Sequence, residues 1–139
     1  MPGLRVADIM TKDVFTINRN DTLATADDVM RLGRIRHLIV VHDDGELAGV
    51  LSQRDLFLGG LLRALGYGSH AKTQALATLA VKEAMVADPY TTTPQTPLAE
   101  AATVMLRHKI GCLPVLDKKK VVGIVTESDF VSYVAGQGK

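Results

Sequence analysis

Hydrophobic and polar positions along the chain change their periodicity in a fixed order, and the same order occurs twice. Apolar residues recur every three or four positions over residues 23–30 and again over 98–105, which predicts two amphipathic helices. Each helix precedes a continuous apolar run, residues 38–41 and 113–116, typical of a strand buried on both faces. The pattern therefore predicts two copies of one α/β unit.

Further elements complete each copy. Polar turns connect the buried strands to further strands, residues 47–51 and 121–125, which predicts hairpins. The other predicted elements are helical turns at 6–10 and 81–85, first strands at 14–17 and 90–93, and final helices entered through 52–55 and 126–129. Residues 20–22 and 95–97 supply hydroxyl caps and a proline for the central helices. The order of each copy is strand, helix, strand, strand, helix.

Direct alignment of the copies supports a duplication. A shift of 75 positions takes Met10 to Met85, and after a polar turn a shift of 74 takes Gly49 to Gly123. Between the copies, glycines interrupt a leucine stripe, which predicts a continuing helix, a break, and a second helix from Ser69. The predicted organisation is repeat 1 at 1–56, a helical linker at 57–80 and repeat 2 at 81–139. Repeats of about fifty residues are marginal alone, so we expect one joint module.

Composition narrows the class of protein. The chain has 139 residues, of which 47% are hydrophobic and 22% charged, with a net charge of +1 and one cysteine. The small net charge gives no electrostatic basis for binding nucleic acid, and no apolar run reaches the roughly 18 residues of a membrane span. The lone cysteine and the absence of a signal-like start favour a cytoplasmic protein.

A short motif, Gly-x-x-[Ser/Thr]-x-x-Asp, is retained in both copies. Its members are Gly49, Ser52, Asp55, Gly123, Thr126 and Asp129. One interpretation is structural, because a hydroxyl at a helix N-cap and an acid three residues later form a capping box. The other is functional, because amides, a hydroxyl and a carboxylate at a helix N-terminus can hold a phosphate and a ribose diol. Retention of all three residue types in both copies favours function, although both copies also need a cap.

Two longer stretches resemble CBS motifs. Residues 35–41 followed by 49–55 form the first, and residues 110–116 followed by 123–129 form the second. The chain resembles a stand-alone tandem-CBS (Bateman) protein, similar to the small bacterial type that includes acetoin-utilisation regulators. The resemblance implies an α/β fold of two β-α-β-β-α repeats, packed with pseudo-twofold symmetry through their small sheets and leaving two clefts. It also implies a homodimer that forms a flat disc of four CBS units.

The resemblance further implies the ligand and its contacts. Members of the family bind adenine nucleotides, here AMP, ADP or ATP, or related adenosyl ligands, and no cofactor is required. Asp55 and Asp129 would hold ribose hydroxyls. The complete expected set of ligand-binding residues is Thr16, Arg36, His37, Leu38, Ser52, Arg54, Asp55, Thr91, Gly111, Cys112, Leu113, Thr126, Ser128 and Asp129.

The copies differ at positions that matter for a charged ligand. Repeat 1 has Arg36, His37 and Arg54 where repeat 2 has Gly111, Cys112 and Ser128. An arginine fork suits phosphate, so we expect two or three phosphates against Arg36 and Arg54. The repeat-2 cleft is then weaker or prefers a less charged ligand. The alternative is that these side chains are simply solvated.

Other candidate chemistry is weaker. Cys112 lies four residues from His108, but no third group indicates a nucleophilic pair, so no catalytic residue is predicted. The four histidines lack metal-ligand spacing. We therefore expect a non-catalytic, ligand-sensing regulator. The alternative is a structural or partner-binding protein with vestigial clefts, and an enzyme is disfavoured. Nothing in the sequence identifies a downstream partner.

Overall fold

A computed structural model describes residues 3–64 and 76–136. For residues 60–64 it describes the backbone alone, and for the others the side chains as well. It divides into two compact units. The repeat-1 unit is Phe15–Asp88, and the repeat-2 unit combines the described residues up to Val14 with those from Pro89 onward. The units differ from the sequence repeats, because the first segment of each repeat packs with the remainder of the other.

The repeat-1 unit is built on a four-stranded sheet in the order β1-β2-β3-β4. Its strands are β1 (Thr16–Asn18), β2 (His37–Val41), β3 (Leu47–Ser52) and β4 (Val86–Ala87). β1 is parallel to β2, whereas β2–β3 and β3–β4 are antiparallel. The helices are α2 (Leu23–Gly33) and α3 (Gln53–Ala64), with a 3-10 turn at Val81–Glu83.

The repeat-2 unit has the corresponding elements in a reduced sheet. It contains α1 (Val6–Ile9), α4 (Leu98–His108), the antiparallel hairpin of β5 (Cys112–Asp117) and β6 (Lys120–Thr126), and α5 (Glu127–Val134). Thr92 makes a single parallel bridge to Val115, and Thr11 a single antiparallel bridge to Ile124. These bridges correspond to β1 and β4 of the other unit.

The strand predicted at 90–93 is therefore wrong in extent, since only Thr92 pairs. In the repeat-1 unit, the Ile39 amide donates to the Phe15 carbonyl. The Arg19 amide donates to the Val41 carbonyl. Prolines occupy both corresponding donor positions in repeat 2, Pro114 and Pro94, as a shift of 75 shows. Because proline has no N–H, neither ladder bond can form there.

Each unit has its own hydrophobic core, formed by the predicted helix and strand faces. Leu23, Leu38 and Leu51 are fully buried in one unit, and Leu98 and Leu113 in the other. The core positions therefore agree with the periodicity of the two copies.

The predicted helix starts are confirmed in part. Thr22 caps α2 by accepting a hydrogen bond from the amide of Thr25 at 3.2 Å. α4 instead begins after Pro97, which has no side-chain cap bond. The Thr96 hydroxyl, predicted to cap this helix, accepts from the amide of Thr93 at 3.3 Å.

The predicted continuation of the helix beyond Phe57 is confirmed, because α3 runs through Gly59 to Ala64. The glycine break at 66–68 and the start of the second linker helix at Ser69 lie outside the described residues.

Candidate ligand-binding site

The junction between β3 and α3 brings the first hydroxyl and carboxylate together. β3 ends at Ser52 and α3 begins at Gln53. The Asp55 amide donates to Ser52 Oγ at 2.9 Å, and the Ser52 amide donates to Asp55 Oδ2 at 3.0 Å. This is the reciprocal capping box that the motif predicts. The other carboxylate oxygen, Asp55 Oδ1, has no hydrogen-bond partner among the described residues.

The junction between β6 and α5 repeats this arrangement with an added contact. The Thr126 amide and hydroxyl both donate to Asp129 Oδ2, at 2.9 and 3.3 Å, and the Asp129 amide donates back to Thr126 Oγ1 at 3.4 Å. The Thr11 hydroxyl donates to Asp129 Oδ1 at 3.0 Å. Both oxygens of Asp129 are therefore occupied within the protein.

The loop before each buried strand lies beside these junctions. The Gln53 amide donates to the Arg36 carbonyl at 2.7 Å, and His37 pairs with Ser52 across the ladder. In the repeat-2 unit the Glu127 amide donates to the Gly111 carbonyl at 3.1 Å. The structure thus brings the predicted groups of each loop and helix start together at one end of the sheet.

Some predicted residues can contribute only through their backbone. Leu38 and Leu113 are fully buried in the two cores, and Cys112 is 8% exposed. Cys112 also pairs with Thr126 in the β5–β6 ladder. The side chains of Leu38 and Leu113 therefore pack the two cores, and a ligand at this end of the sheet could meet only their peptide groups.

The two predicted first-strand threonines are placed differently. Thr16 is exposed at the start of β1, where it pairs with Ile39 on β2. Thr91 is also exposed, but with Leu113 it lines a pocket of about 340 Å³ that reaches the Lys118–Lys119 turn. Neither Thr126 nor Asp129 lines that pocket. Thr91 therefore lines a pocket that does not include the repeat-2 carboxylate.

The charges at the two junctions have opposite signs. Arg36 and Arg54 are exposed, and neither makes an ion pair with another described residue. With Asp55 they leave an excess of one positive charge, whereas Glu127 and Asp129 leave two negative charges in the repeat-2 unit. The difference favours a more anionic ligand at the repeat-1 junction.

Aromatic side chains precede the first pairing residue in both units. Tyr90 stacks on His108 with ring centroids 3.9 Å apart and an interplanar angle of 16°. At the corresponding positions, Phe15 lies against Gly33, where an added Cβ would be 3.2 Å from its ring. One aromatic face of Tyr90 in the repeat-2 unit is thus already covered by an imidazole.

The glycine of each motif has a packing role that sequence reasoning did not identify. A Cβ on Gly123 would lie 2.9 Å from both the sulfur of Met10 and the carbonyl oxygen of Thr11. Residues 10–11 cross the β5–β6 hairpin, and residues 85–86 cross the β2–β3 hairpin. Both crossings are too close to the motif glycine for a side chain at that position. Thr11 was also missed in the sequence analysis. Aligning the copies places Thr11 and Val86 at the same position, which would have shown that only the first has a hydroxyl.

The described residues offer neither a metal centre nor a membrane-spanning helix. They contain no group of three His, Cys, Asp or Glu side chains that could hold a metal ion. In the same part of the chain, no helix has the length and apolar character needed to cross a membrane.

Comparison with known proteins identifies the family. The model of the CBS domain matches residues 6–59 and 81–136. The chain belongs to the CBS-domain family. It is 36% identical over 127 residues to a CBS domain-containing protein of Dictyostelium discoideum, covering 91% of this chain and 88% of the relative. It is 34% identical to homoserine O-acetyltransferase of Methanococcoides burtonii, covering 89% of this chain but only 23% of that enzyme.

Solved structures show the same fold. A Vibrio cholerae protein named for acetoin utilization (AcuB) has 38% identity and a TM-score of 0.77, covering 96% of this chain and 91% of that one. The CBS domain pair of protein MJ0100, in complex with 5′-methylthioadenosine and S-adenosyl-L-methionine, has 26% identity, a TM-score of 0.79 and coverages of 98% and 99%. CBSX2 in complex with AMP has 26% identity, a TM-score of 0.78 and coverages of 96% and 98%. The predicted α/β fold of two CBS repeats is confirmed.

Proposed function

We propose that this CBS-domain protein is a non-catalytic regulatory module that binds an adenosyl ligand at the repeat-1 junction. The observation that carries the proposal is the state of Asp55. Its Oδ2 is held by the Ser52 amide, while Oδ1 has no donor among the described residues. A positioned carboxylate with an available oxygen is the acceptor that a ribose hydroxyl needs.

Neighbouring groups suit the remainder of such a ligand. Ser52 Oγ accepts from the Asp55 amide, so its own proton remains available for a ligand oxygen. Arg36 and Arg54 are exposed and make no ion pair with other described residues, which suits one or more phosphates. An adenine nucleotide, AMP, ADP or ATP, therefore fits this junction better than a neutral nucleoside does.

Related proteins supply independent support. The CBS domain pair of protein MJ0100 was solved with 5′-methylthioadenosine and S-adenosyl-L-methionine, and CBSX2 with AMP. Both share the fold over nearly the whole of this chain. They favour an adenosyl group as the common element of the ligand and leave the charge of its 5′ substituent to be set by local residues.

The repeat-2 junction would take a less charged ligand. Glu127 and Asp129 replace Gln53 and Asp55, and Ser128 replaces Arg54. A phosphate there would meet two carboxylates and no arginine, so repulsion favours an adenosyl ligand without phosphate.

Regulation requires only that the ligand prefer one of two packings of the chain or of its copies.

We extend the proposal to a homodimer formed by the helices that follow each aspartate. On α3, Phe57 is 52% exposed, and on α5, Val131 and Val134 are 67% and 79% exposed. Apolar side chains at this exposure on both helices favour burial against a second copy. Sedimentation of Val131→Ser tests this, with a shift toward monomer expected and unchanged mass contradicting it.

Calorimetry and thermal unfolding with AMP, ATP and S-adenosylmethionine test the ligand proposal. A ligand at a hundredfold its dissociation constant should stabilise the fold by about 2.7 kcal/mol. Asp55→Asn keeps a cap acceptor but removes the charge, so we expect affinity at this junction to fall at least tenfold. Glu46→Gln makes the same charge change just before β3, at the other end of that strand from Ser52, and this variant should bind the ligand normally.

Lack of binding by all three ligands, in a folded protein, would contradict the proposal and favour the alternative of a partner-binding protein with vestigial clefts. Equal losses in Asp55→Asn and Glu46→Gln would contradict the placement of the site.

A further inference from the structure

The two candidate carboxylates differ in how many of their oxygens a ligand could reach. Asp129 Oδ2 accepts from the amide and hydroxyl of Thr126, and its Oδ1 accepts from the Thr11 hydroxyl at 3.0 Å. Asp55 Oδ2 accepts from the Ser52 amide, and nothing among the described residues donates to its Oδ1. The protein thus donates to both oxygens of Asp129 and leaves about one of its lone-pair positions open, whereas Oδ1 of Asp55 accepts from no described residue.

A single sequence difference between the repeats accounts for the added hydrogen bond to Oδ1 of Asp129. Thr11 bridges to Ile124, and Val86 pairs with Val50 in the same antiparallel sense. Ile124 and Val50 are aligned by the shift of 74 that relates the hairpins, and Thr11 and Val86 by the shift of 75. The two residues therefore occupy one register position in their units, and only threonine carries a hydroxyl.

The register itself is set by the motif glycines rather than by the hydroxyl. The crossing segment lies close to Gly49 in one unit and to Gly123 in the other, with no room for a Cβ in either. Exchanging threonine and valine should therefore leave the crossing in place, because both are β-branched and similar in volume. Val86 is 52% exposed, so a hydroxyl there can be accommodated.

We propose that Thr11 is a specificity-determining residue that lowers the affinity of the Asp129 site for a ribose diol, and that Val86 leaves the Asp55 site competent for it. This inference rests on the proposed adenosyl-binding function. A diol offers two hydroxyl donors, and Asp129, which already accepts three hydrogen bonds, has about one lone-pair position left, so the second hydroxyl must displace an existing donor. At Asp55 no such exchange is needed for either hydroxyl, because its carboxylate accepts one hydrogen bond from the described residues.

The charged neighbours of the two sites would obscure this effect with a phosphorylated ligand. Arg36 and Arg54 lie only at the Asp55 junction, and Glu127 only at the other. Adenosine carries no phosphate and isolates the diol contact, while 2′,3′-dideoxyadenosine lacks the diol and reports binding without it. The ratio of their affinities at each site is therefore the quantity that Thr11 should control.

Reciprocal exchange of the two residues tests the inference. Titration calorimetry in an Asp55→Asn background reports the Asp129 site, and in an Asp129→Asn background the Asp55 site. Thr11→Val should tighten adenosine at the Asp129 site about tenfold, since a hydrogen bond to a charged group carries at least that factor. Val86→Thr should weaken adenosine at the Asp55 site by a similar factor. Neither change should alter binding of 2′,3′-dideoxyadenosine.

Thr11→Ser is the matched control, because it keeps the hydroxyl and should behave as the parent protein. If Thr11→Val does not fold, Val86→Thr alone still tests the direction. Adenosine binding that neither exchange alters would overturn this inference and leave the proposed function standing. Absence of binding by adenosine, AMP, ATP and S-adenosylmethionine alike would overturn the proposed function, and this inference with it.

Discussion

Gly49 lies directly against the backbone carbonyl of Val86. A Cβ at position 49 would be 2.5 Å from that oxygen and 2.9 Å from the sulfur of Met85. Gly123 has the same relationship to Met10 and Thr11 in the other unit. The first residue of the repeated motif therefore serves the crossing of the preceding segment, while the hydroxyl and the aspartate remain to serve the helix start and a ligand.

Replacing Gly49 with alanine should destabilise the protein by about 1–3 kcal/mol, the usual cost of overpacking, because a backbone carbonyl has to move. Chemical denaturation measures the change. Ala48→Gly at the neighbouring position removes a small side chain without adding a contact and is the comparison. An unchanged denaturation midpoint for Gly49→Ala would contradict the tight crossing.

Thr92 carries a buried hydroxyl that has no hydrogen-bond partner among the described residues, and the residue is 7% exposed. The corresponding position of repeat 1 is Ile17, which is buried in that core. Thr92→Val removes the unsatisfied hydroxyl at similar volume and should raise the free energy of unfolding by about 1–2 kcal/mol. The same change at exposed Thr91 should have little effect. A loss of stability in Thr92→Val would show that the hydroxyl has a partner.

The Ser52 cap stabilises the start of α3 through its bond from the Asp55 amide. Ser52→Ala should lower the free energy of unfolding by about 1 kcal/mol, the typical cost of losing an N-cap. Ser128→Ala, at an exposed position within the first turn of α5, should leave stability unchanged. Equal changes in the free energy of unfolding for the two variants would contradict a stabilising role of the Ser52 cap.

Arg36 and Arg54 should set the preference for phosphate. Arg36→Ala is expected to weaken ATP about tenfold while weakening adenosine less than twofold, because one charge-assisted contact to phosphate is lost. Competition calorimetry with both ligands gives the ratio. Arg107→Ala on α4 removes an exposed arginine from the other unit and should leave the ratio of ATP to adenosine affinity unchanged. Polyphosphate affinity untouched in Arg36→Ala and Arg54→Ala would mean that both side chains are simply solvated.

Periodicity, capping chemistry and the internal repeat were enough to predict the helices, the buried strands and the pairing of Ser52 with Asp55. These features depend on residues close together in the chain, so local patterns encode them. The exception at residues 90–93 is also local in origin, because Pro94 and Pro114 remove two ladder donors. A comparison of the copies would have exposed it.

The tertiary structure decided which residues from distant parts of the chain meet. Thr11 reaches Asp129 across 118 positions, and Gly49 meets Val86 across the linker. No local pattern encodes such contacts, since they depend on each first segment packing with the opposite repeat. The sequence by itself determined two similar helix-capping sites of one family. Only the packing decided that Oδ1 of one aspartate accepts from a threonine hydroxyl and that Oδ1 of the other accepts from no described residue.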